Sequence, residues 1–237
     1  MCFILNMRSF NKIPLSAASV AALLVCSSAR ATVFTFDIAG LTDFQDVDQT
    51  YGDNVTSATM GAFSYGSAEG FTPNVTVAYG NTMPALWTTG YGNLSNVLFE
   101  DEDGTGVLNI TLTAAPGFFV SLHSFDLATY TTTFGADPTI ASVKVFDSTD
   151  TAVFTLSNPV ISRTTRTMLT FGPLSDTALR IEVDARNLGN NNDDISVDNI
   201  TISQYTAVPE PATLVWAGSA LALFALARRR GLLVRNG

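Results

Sequence analysis

Cysteine is nearly missing from this chain. The two present, Cys2 and Cys26, both lie in an apolar N-terminal stretch. The rest of the chain therefore offers no disulfide framework, no thiolate nucleophile and no cysteine-based zinc site. Histidine is rarer still: His123 stands alone beside Leu122 and close to Phe125. One imidazole cannot build a His-rich metal centre, and no G-x-S-x-G elbow accompanies it, so His123 reads as structural.

Basic residues are also scarce. Between Thr32 and Val208 there are five (Lys144, Arg163, Arg166, Arg180 and Arg186) against twenty Asp and Glu, a net −15 where the whole chain carries −9. Phosphate backbones are bound by clustered Lys and Arg, so this balance excludes nucleic acid as a partner. Acidity of this kind fits a protein soluble outside the cell, and it suits hard divalent cations.

Apolar residues make up 46% of the chain, enough for a sizeable core, but they are concentrated at its two ends. Arg8 and Lys12 precede an apolar run from Ile13 to Val25, and Ser27-Ser28-Ala29-Arg30-Ala31 follows. A charged segment, a short apolar segment and the small-x-small pair Ala29 and Ala31 predict a signal helix over residues 1–31, cleaved after Ala31. The run is too short to span a bilayer comfortably.

At the other end, Pro209-Glu210-Pro211 precedes sixteen uncharged residues, Ala212 to Ala227, and then Arg228, Arg229 and Arg230. Such a helix rises about 24 Å against a hydrocarbon core of roughly 30 Å, a marginal anchor. The arginines would stay on the cytoplasmic side, which places everything before Pro209 across the membrane. Both ends predict the same topology.

The Pro-Glu-Pro triplet, the adjoining Ala212-Thr213, the Gly218-containing apolar helix and the arginine cluster together resemble the PEP-CTERM sorting signal. That resemblance implies a bacterial exported protein and processing by an exosortase, a membrane-embedded cysteine protease. A temporary hydrophobic tail would be removed during surface delivery, as in a GPI signal. The chain continues past Arg230 to Gly237, further than such tails usually run. The other reading of residues 207–237 is an ordinary single-span anchor after a Pro-rich linker.

Residues 32–206 alternate with period two. Leu108, Ile110 and Leu112 share one face of a strand, as do Leu179, Ile181 and Val183, and Val143 and Val145. Further strands are predicted at Val33 to Ile38, Val75 to Tyr79, Phe118 to Leu122, Ser124 to Thr129, Ala152 to Leu156 and Thr167 to Phe171, with turn residues between them. No amphipathic helix of useful length interrupts them. The expected fold class is all-β, a two-sheet, jelly-roll-like β-sandwich. In the segment Ile195 to Ser203 the apolar parity changes between Val197 and Ile200, so a β-bulge near Asp198-Asn199 is predicted to return all four apolar residues to one face.

The run from Val107 to Thr129, a Thr-rich strand followed by a Pro-Gly turn and an aromatic strand, loosely resembles the sandwich ectodomains found upstream of such tails. Those look like carbohydrate-binding modules or galactose-binding-type jelly rolls. The resemblance implies sugar binding and a structural calcium ion.

Several residues are candidates for those roles. Asp37 and Asp198 meet if the first and last strands pair, and would hold calcium; alternatively Asp198 makes a local Asx-type bond at the bulge. Asp101 and Asp103 begin an EF-hand-like spacing that lacks its closing glutamate at Leu112, so an acidic hairpin turn competes with a calcium loop. Asn190 to Asp194 read as an exposed polar loop able to contribute a ligand. Trp87, near Tyr79 and Tyr91, is either a sugar platform or a core aromatic. Five Asn-x-Ser/Thr sequons, at Asn54, Asn74, Asn93, Asn109 and Asn199, are expected by chance in such a composition.

The sequence thus predicts a non-enzymatic protein exported across the cytoplasmic membrane to the cell surface or extracellular matrix. Its expected partners are an exosortase-type protease, the membrane through the C-terminal helix, and extracellular polysaccharide. A calcium-dependent carbohydrate-binding or adhesion module is the alternative.

Overall fold

The computed structural model describes residues 31–66, 71–80, 84–100 and 105–206. Among these residues fourteen strands, numbered in chain order, form two antiparallel sheets. The five-stranded sheet runs β11 (Ala152–Ser157), β10 (Ser142–Phe146), β13 (Ala178–Asp184), β8 (Val107–Ala114) and β5 (Val75–Tyr79). The nine-stranded sheet is built around β14 (Ile195–Thr206). Along one edge β14 pairs with β9 (Phe118–Thr129), which carries β12 (Thr167–Asp176).

The other edge of β14 is shared. Ser196 and Val197 pair with β7 (Val97–Glu100), which leads to β6 (Pro84–Trp87) and β2 (Gln45–Asp46). Further along, Ile200 to Ser203 pair with β1 (Ala31–Ile38), which leads to β4 (Phe63–Tyr65) and β3 (Thr59–Met60). The sheet forks at residues 198 and 199.

The all-β sandwich expected from alternation is present. Ile110, Leu112, Val143, Val145, Leu179, Ile181 and Val183 from one sheet join Phe34, Phe36, Leu122, Phe125, Ile200 and Ile202 from the other in a single buried core. Burying one such side chain contributes about 1.5–3 kcal/mol. Phe154 of β11 meets Phe171 of β12 edge to face at 4.9 Å, tying the two sheets together at one flank.

Two details correct the sequence reading. Phe118 to Leu122 and Ser124 to Thr129 are one strand, β9, with the ladder shifting at His123 so that Leu122 and Phe125 both point inward. The short strands β2, β3, β4, β6 and β7 lack a long alternating pattern and were not anticipated. The described residues include one 3-10 helix, Arg186–Asn191. Among them, no helix is long and apolar enough to cross a membrane.

β1 departs from β14 after Phe34 because Phe36 adopts φ 52°, a left-handed conformation costly for an aromatic residue. Its N–H donates to the Tyr51 hydroxyl at 2.9 Å, and that hydroxyl donates to the Ser64 carbonyl at 2.9 Å. The fully buried Tyr51 thereby satisfies the backbone where the ladder is interrupted.

Candidate functional site

The fork leaves β14 without a partner on one side at Asp198 and Asn199. The predicted bulge lies here: the register shifts between Asp198 and Thr201, and Asn199 takes φ 51°, a conformation asparagine tolerates better than most residues. Ile195, Val197, Ile200 and Ile202 all reach the core, and Asp198 is turned to the opposite, outer face of the sheet.

That face is not open water. The β6–β7 connection, residues 88–96, folds over it and packs Tyr91 and Leu94 with Trp87, Val97, Phe99, Ala128 and Tyr130 in a second apolar cluster. Gly90 (φ 92°) and Gly92 (φ 55°) permit the close approach. A Cβ on Gly90 would lie 2.6 Å from the Tyr130 ring, and one on Gly92 would lie 3.0 Å from the Thr165 backbone. The next residue, Asn93, accepts the Arg166 N–H through Oδ1 at 2.7 Å.

Between this connection and the fork lies a cleft of about 240 Å³ lined by Thr35, Asp37, Asn93, Leu94, Ser95, Arg166, Asp198 and Asn199. All but Leu94 are polar. Asp198 is 3% exposed, and burial pushes its carboxyl up to about 8, although the Asn199 N–H, donating to Oδ1 at 2.6 Å, works the other way. The neighbouring carboxylates Asp126 and Asp37 raise it further, and Arg166 lowers it. Asp198 is therefore mostly protonated at neutral pH and able to donate a hydrogen bond.

The other carboxylates keep fixed partners. Buried Asp126 accepts from the Arg166 guanidinium at 3.0 Å and from the Asn199 amide at 2.9 Å. Exposed Asp37 accepts from the Asn96 amide at 2.6 Å. The cleft thus presents a guanidinium, amides, hydroxyls, an ionisable carboxyl and a protonated one within a small volume. Such a set can hold a polyhydroxylated ligand through alternating donors and acceptors.

The structure brings Asp37 and Asp198 together, as the pairing of the first and last strands predicts, and it also contains the local Asx-type bond offered as the alternative. Among the described residues no group of three or more His, Cys, Asp or Glu side chains is arranged to hold a metal ion. Asp101 and Asp103 lie outside the described residues. So do the signal segment up to Arg30, the Pro209-Glu210-Pro211 triplet and the Arg228 to Arg230 cluster. Ala31, the last residue before the expected cleavage, opens β1 opposite Ser203.

Of the three aromatics grouped by sequence, Trp87 lies with Tyr91 but not with Tyr79. Tyr79 belongs to the core between the sheets and Tyr91 is buried, while Trp87 sits among Phe44, Tyr91, Phe99 and Tyr130 at ring distances of 4.6–6.5 Å. Asn190 and Asn191 close the 3-10 helix, and Asn192 to Asp194 lead into β14 away from the cleft. His123 bonds Ser203 Oγ through Nε2 at 2.8 Å, a role within the sheet.

Sequence reasoning missed Asp126, Asn93 and Arg166 as members of the site. Arg166 carried a usable signal, being one of few cations in a strongly acidic domain. Asp126 and Asn93 carried none, because strand order decides their position.

No protein-family model and no curated protein match this chain. Among solved structures it is similar to the family 32 carbohydrate-binding module of C. perfringens NanJ in complex with galactose, at 9% identity and a TM-score of 0.30, covering 55% of this chain and 93% of that one. It is also similar to the third family 32 module from a family 31 glycoside hydrolase of Clostridium perfringens, at 12% identity and a TM-score of 0.27, covering 73% and 96%. Likeness this loose transfers neither residue roles nor function.

Proposed function

We propose that this chain is an exported, non-enzymatic surface protein whose sandwich binds a carbohydrate in the cleft at the sheet fork. The observation that carries the reading is the lining of that cleft. A sugar ring offers hydroxyls that both donate and accept, and here the Asp37 carboxyl, protonated Asp198, the Asn93 amide and the Arg166 guanidinium border one space. At about 240 Å³ the cleft falls below the roughly 300–1,000 Å³ of sites for drug-sized molecules, a size suited to one sugar unit. The ends of the sequence supply the delivery route, with a signal peptide at residues 1–31 and an exosortase-processed tail at residues 207–237.

A glycan array followed by calorimetry, with and without calcium, tests the binding. Saturable binding that weakens tenfold or more in Asp37→Ala and Asn93→Ala supports the reading. Absence of binding to any glycan under both conditions overturns it, and binding lost on chelation assigns calcium a part. Delivery is tested separately by intact mass of the protein recovered from envelope and medium. Loss of both ends, abolished at the C-terminus when Pro209-Glu210-Pro211 is replaced, is the expected result.

A further inference from the structure

We infer that β11 is a self-association edge through which a second copy of this chain extends the five-stranded sheet. This inference is independent of the cleft. A sheet edge left with unpaired N–H and C=O groups is a template for another strand, and native proteins commonly blunt such edges.

Among the described residues, the other sheet edges are blunted. On β5, the outward N–H of Val77 donates to Asp53 Oδ1 at 2.6 Å, that of Tyr79 to Gln49 Oε1 at 3.3 Å, and the Val75 carbonyl accepts from Asn54 N–H at 2.8 Å. β2 and β3 are two residues each. β12 is broken by a register shift between Thr170 and Leu174, where the sequence reads Phe-Gly-Pro.

β11 has no such cover among the described residues, and its own register shift, at Val153, lies near one end and leaves Phe154 to Ser157 in regular pairing. Its partner is β10 alone, with Leu156 opposite Val143 and Phe154 opposite Val145. The Asn158 N–H bonds the Ala141 carbonyl at 3.0 Å, which fixes the phase of the ladder. Alternation then points the backbone groups of Leu156 and Phe154 toward β10 and those of Thr155 and Ser157 away from the sheet.

Charge at this edge permits a second copy. A domain this acidic repels its own copies, yet residues 151–162 contain no charged side chain. Val153 within the strand and Val160 just beyond it, 43% and 57% exposed, add apolar surface. Two copies related by a two-fold axis at Thr155 would pair antiparallel, exchanging both Thr155 hydrogen bonds and setting threonine against threonine, a favourable cross-strand pair.

The test uses the full chain in detergent, with mass followed by light scattering across the micromolar range. A concentration-dependent dimer is expected for the wild type, and a monomer for Thr155→Lys, which adds like charge at the axis, and for Thr155→Pro, which removes only an outward N–H. In a background with Cys2 and Cys26 changed to serine, Thr155→Cys should form an intermolecular disulfide, because residues opposed in a hydrogen-bonded pair have Cα atoms about 5.5 Å apart. A wild type monomeric throughout, or a dimer indifferent to Thr155→Lys and uncrosslinked in Thr155→Cys, overturns the inference.

Discussion

Asp198 on β14 stands directly opposite Asp126 on β9, and the single side-chain amide of Asn199 donates to both carboxyl groups, at 3.1 and 2.9 Å. Two buried acids side by side cannot both ionise cheaply, so one holds its proton. Burial and the bulge select Asp198 for that role, while Arg166 neutralises Asp126. The arrangement keeps protonated Asp198, which lines the cleft, next to the Asp126–Arg166 ion pair behind it.

The first prediction concerns pH. The folded Asp198 carboxyl titrates at about 8 against 3.8 for an ordinary aspartate, so the folded state binds the extra proton between those values. Its contribution to stability is full below about pH 4 and is lost as pH rises through 8. Asp198→Asn removes that loss. Chemical denaturation should find the variant more stable than wild type at pH 9, by an amount of order several kcal/mol, since each unit is worth about 1.4 kcal/mol, and the gain should vanish near pH 4. An equal effect at both pH values would refute the assignment.

Arg166 supplies the second. Its guanidinium is half exposed, but the Asp126 side chain it neutralises is 3% exposed. Losing the cation strands a buried charge, which costs far more than an exposed ion pair contributes. Arg166→Ala should destabilise by about 2–4 kcal/mol, and the double change Arg166→Ala with Asp126→Asn should restore much of it. Thermal unfolding of the three variants at neutral pH reads this directly.

The strands that bury one face were legible because alternation with period two reports burial, and the bulge was legible because Val197 and Ile200 break parity. The pairing of the first and last strands placed Asp37 near Asp198 on topological grounds alone. The fork was not legible. It depends on β7, four residues whose partner on β14 is only two residues long, and no pattern of that length stands out in a sequence. Asn93 enters the site through that fork and Asp126 through the pairing of β9 with β14, so neither was visible. Trp87 was ambiguous for another reason: an aromatic in a turn-rich stretch fits a platform or an outer-face cluster equally well until its neighbours are known.

Tyr51 gives the third prediction. Its hydroxyl is the partner of the Phe36 N–H, at a residue held at φ 52°. Tyr51→Phe keeps the ring packing against Phe36 and Tyr65 at 5.3 and 5.1 Å but leaves a buried N–H without an acceptor. The expected cost is about 1–3 kcal/mol, more than the usual value of one exchanged hydrogen bond. Amide hydrogen exchange at Phe36 should accelerate beyond what the global loss of stability explains.

Gly90 and Gly92 carry the last prediction, because they separate the fold from the site. Both have positive φ, and both lie in the connection that roofs the cleft rather than in a core strand. Gly90→Ala would drive a methyl into the Tyr130 ring edge, which can tilt, whereas Gly92→Ala meets Thr165 backbone, which cannot yield without moving Arg166. Gly92→Ala should therefore lower any ligand affinity of the cleft more than Gly90→Ala does. Each should cost about 1–3 kcal/mol of stability from strain and contact, with the sandwich core unchanged. Parallel calorimetry and near-ultraviolet circular dichroism on the two variants separate these effects. If both alanines left the Trp87 signal and ligand binding at wild-type levels, the connection would not be the roof that positions Asn93.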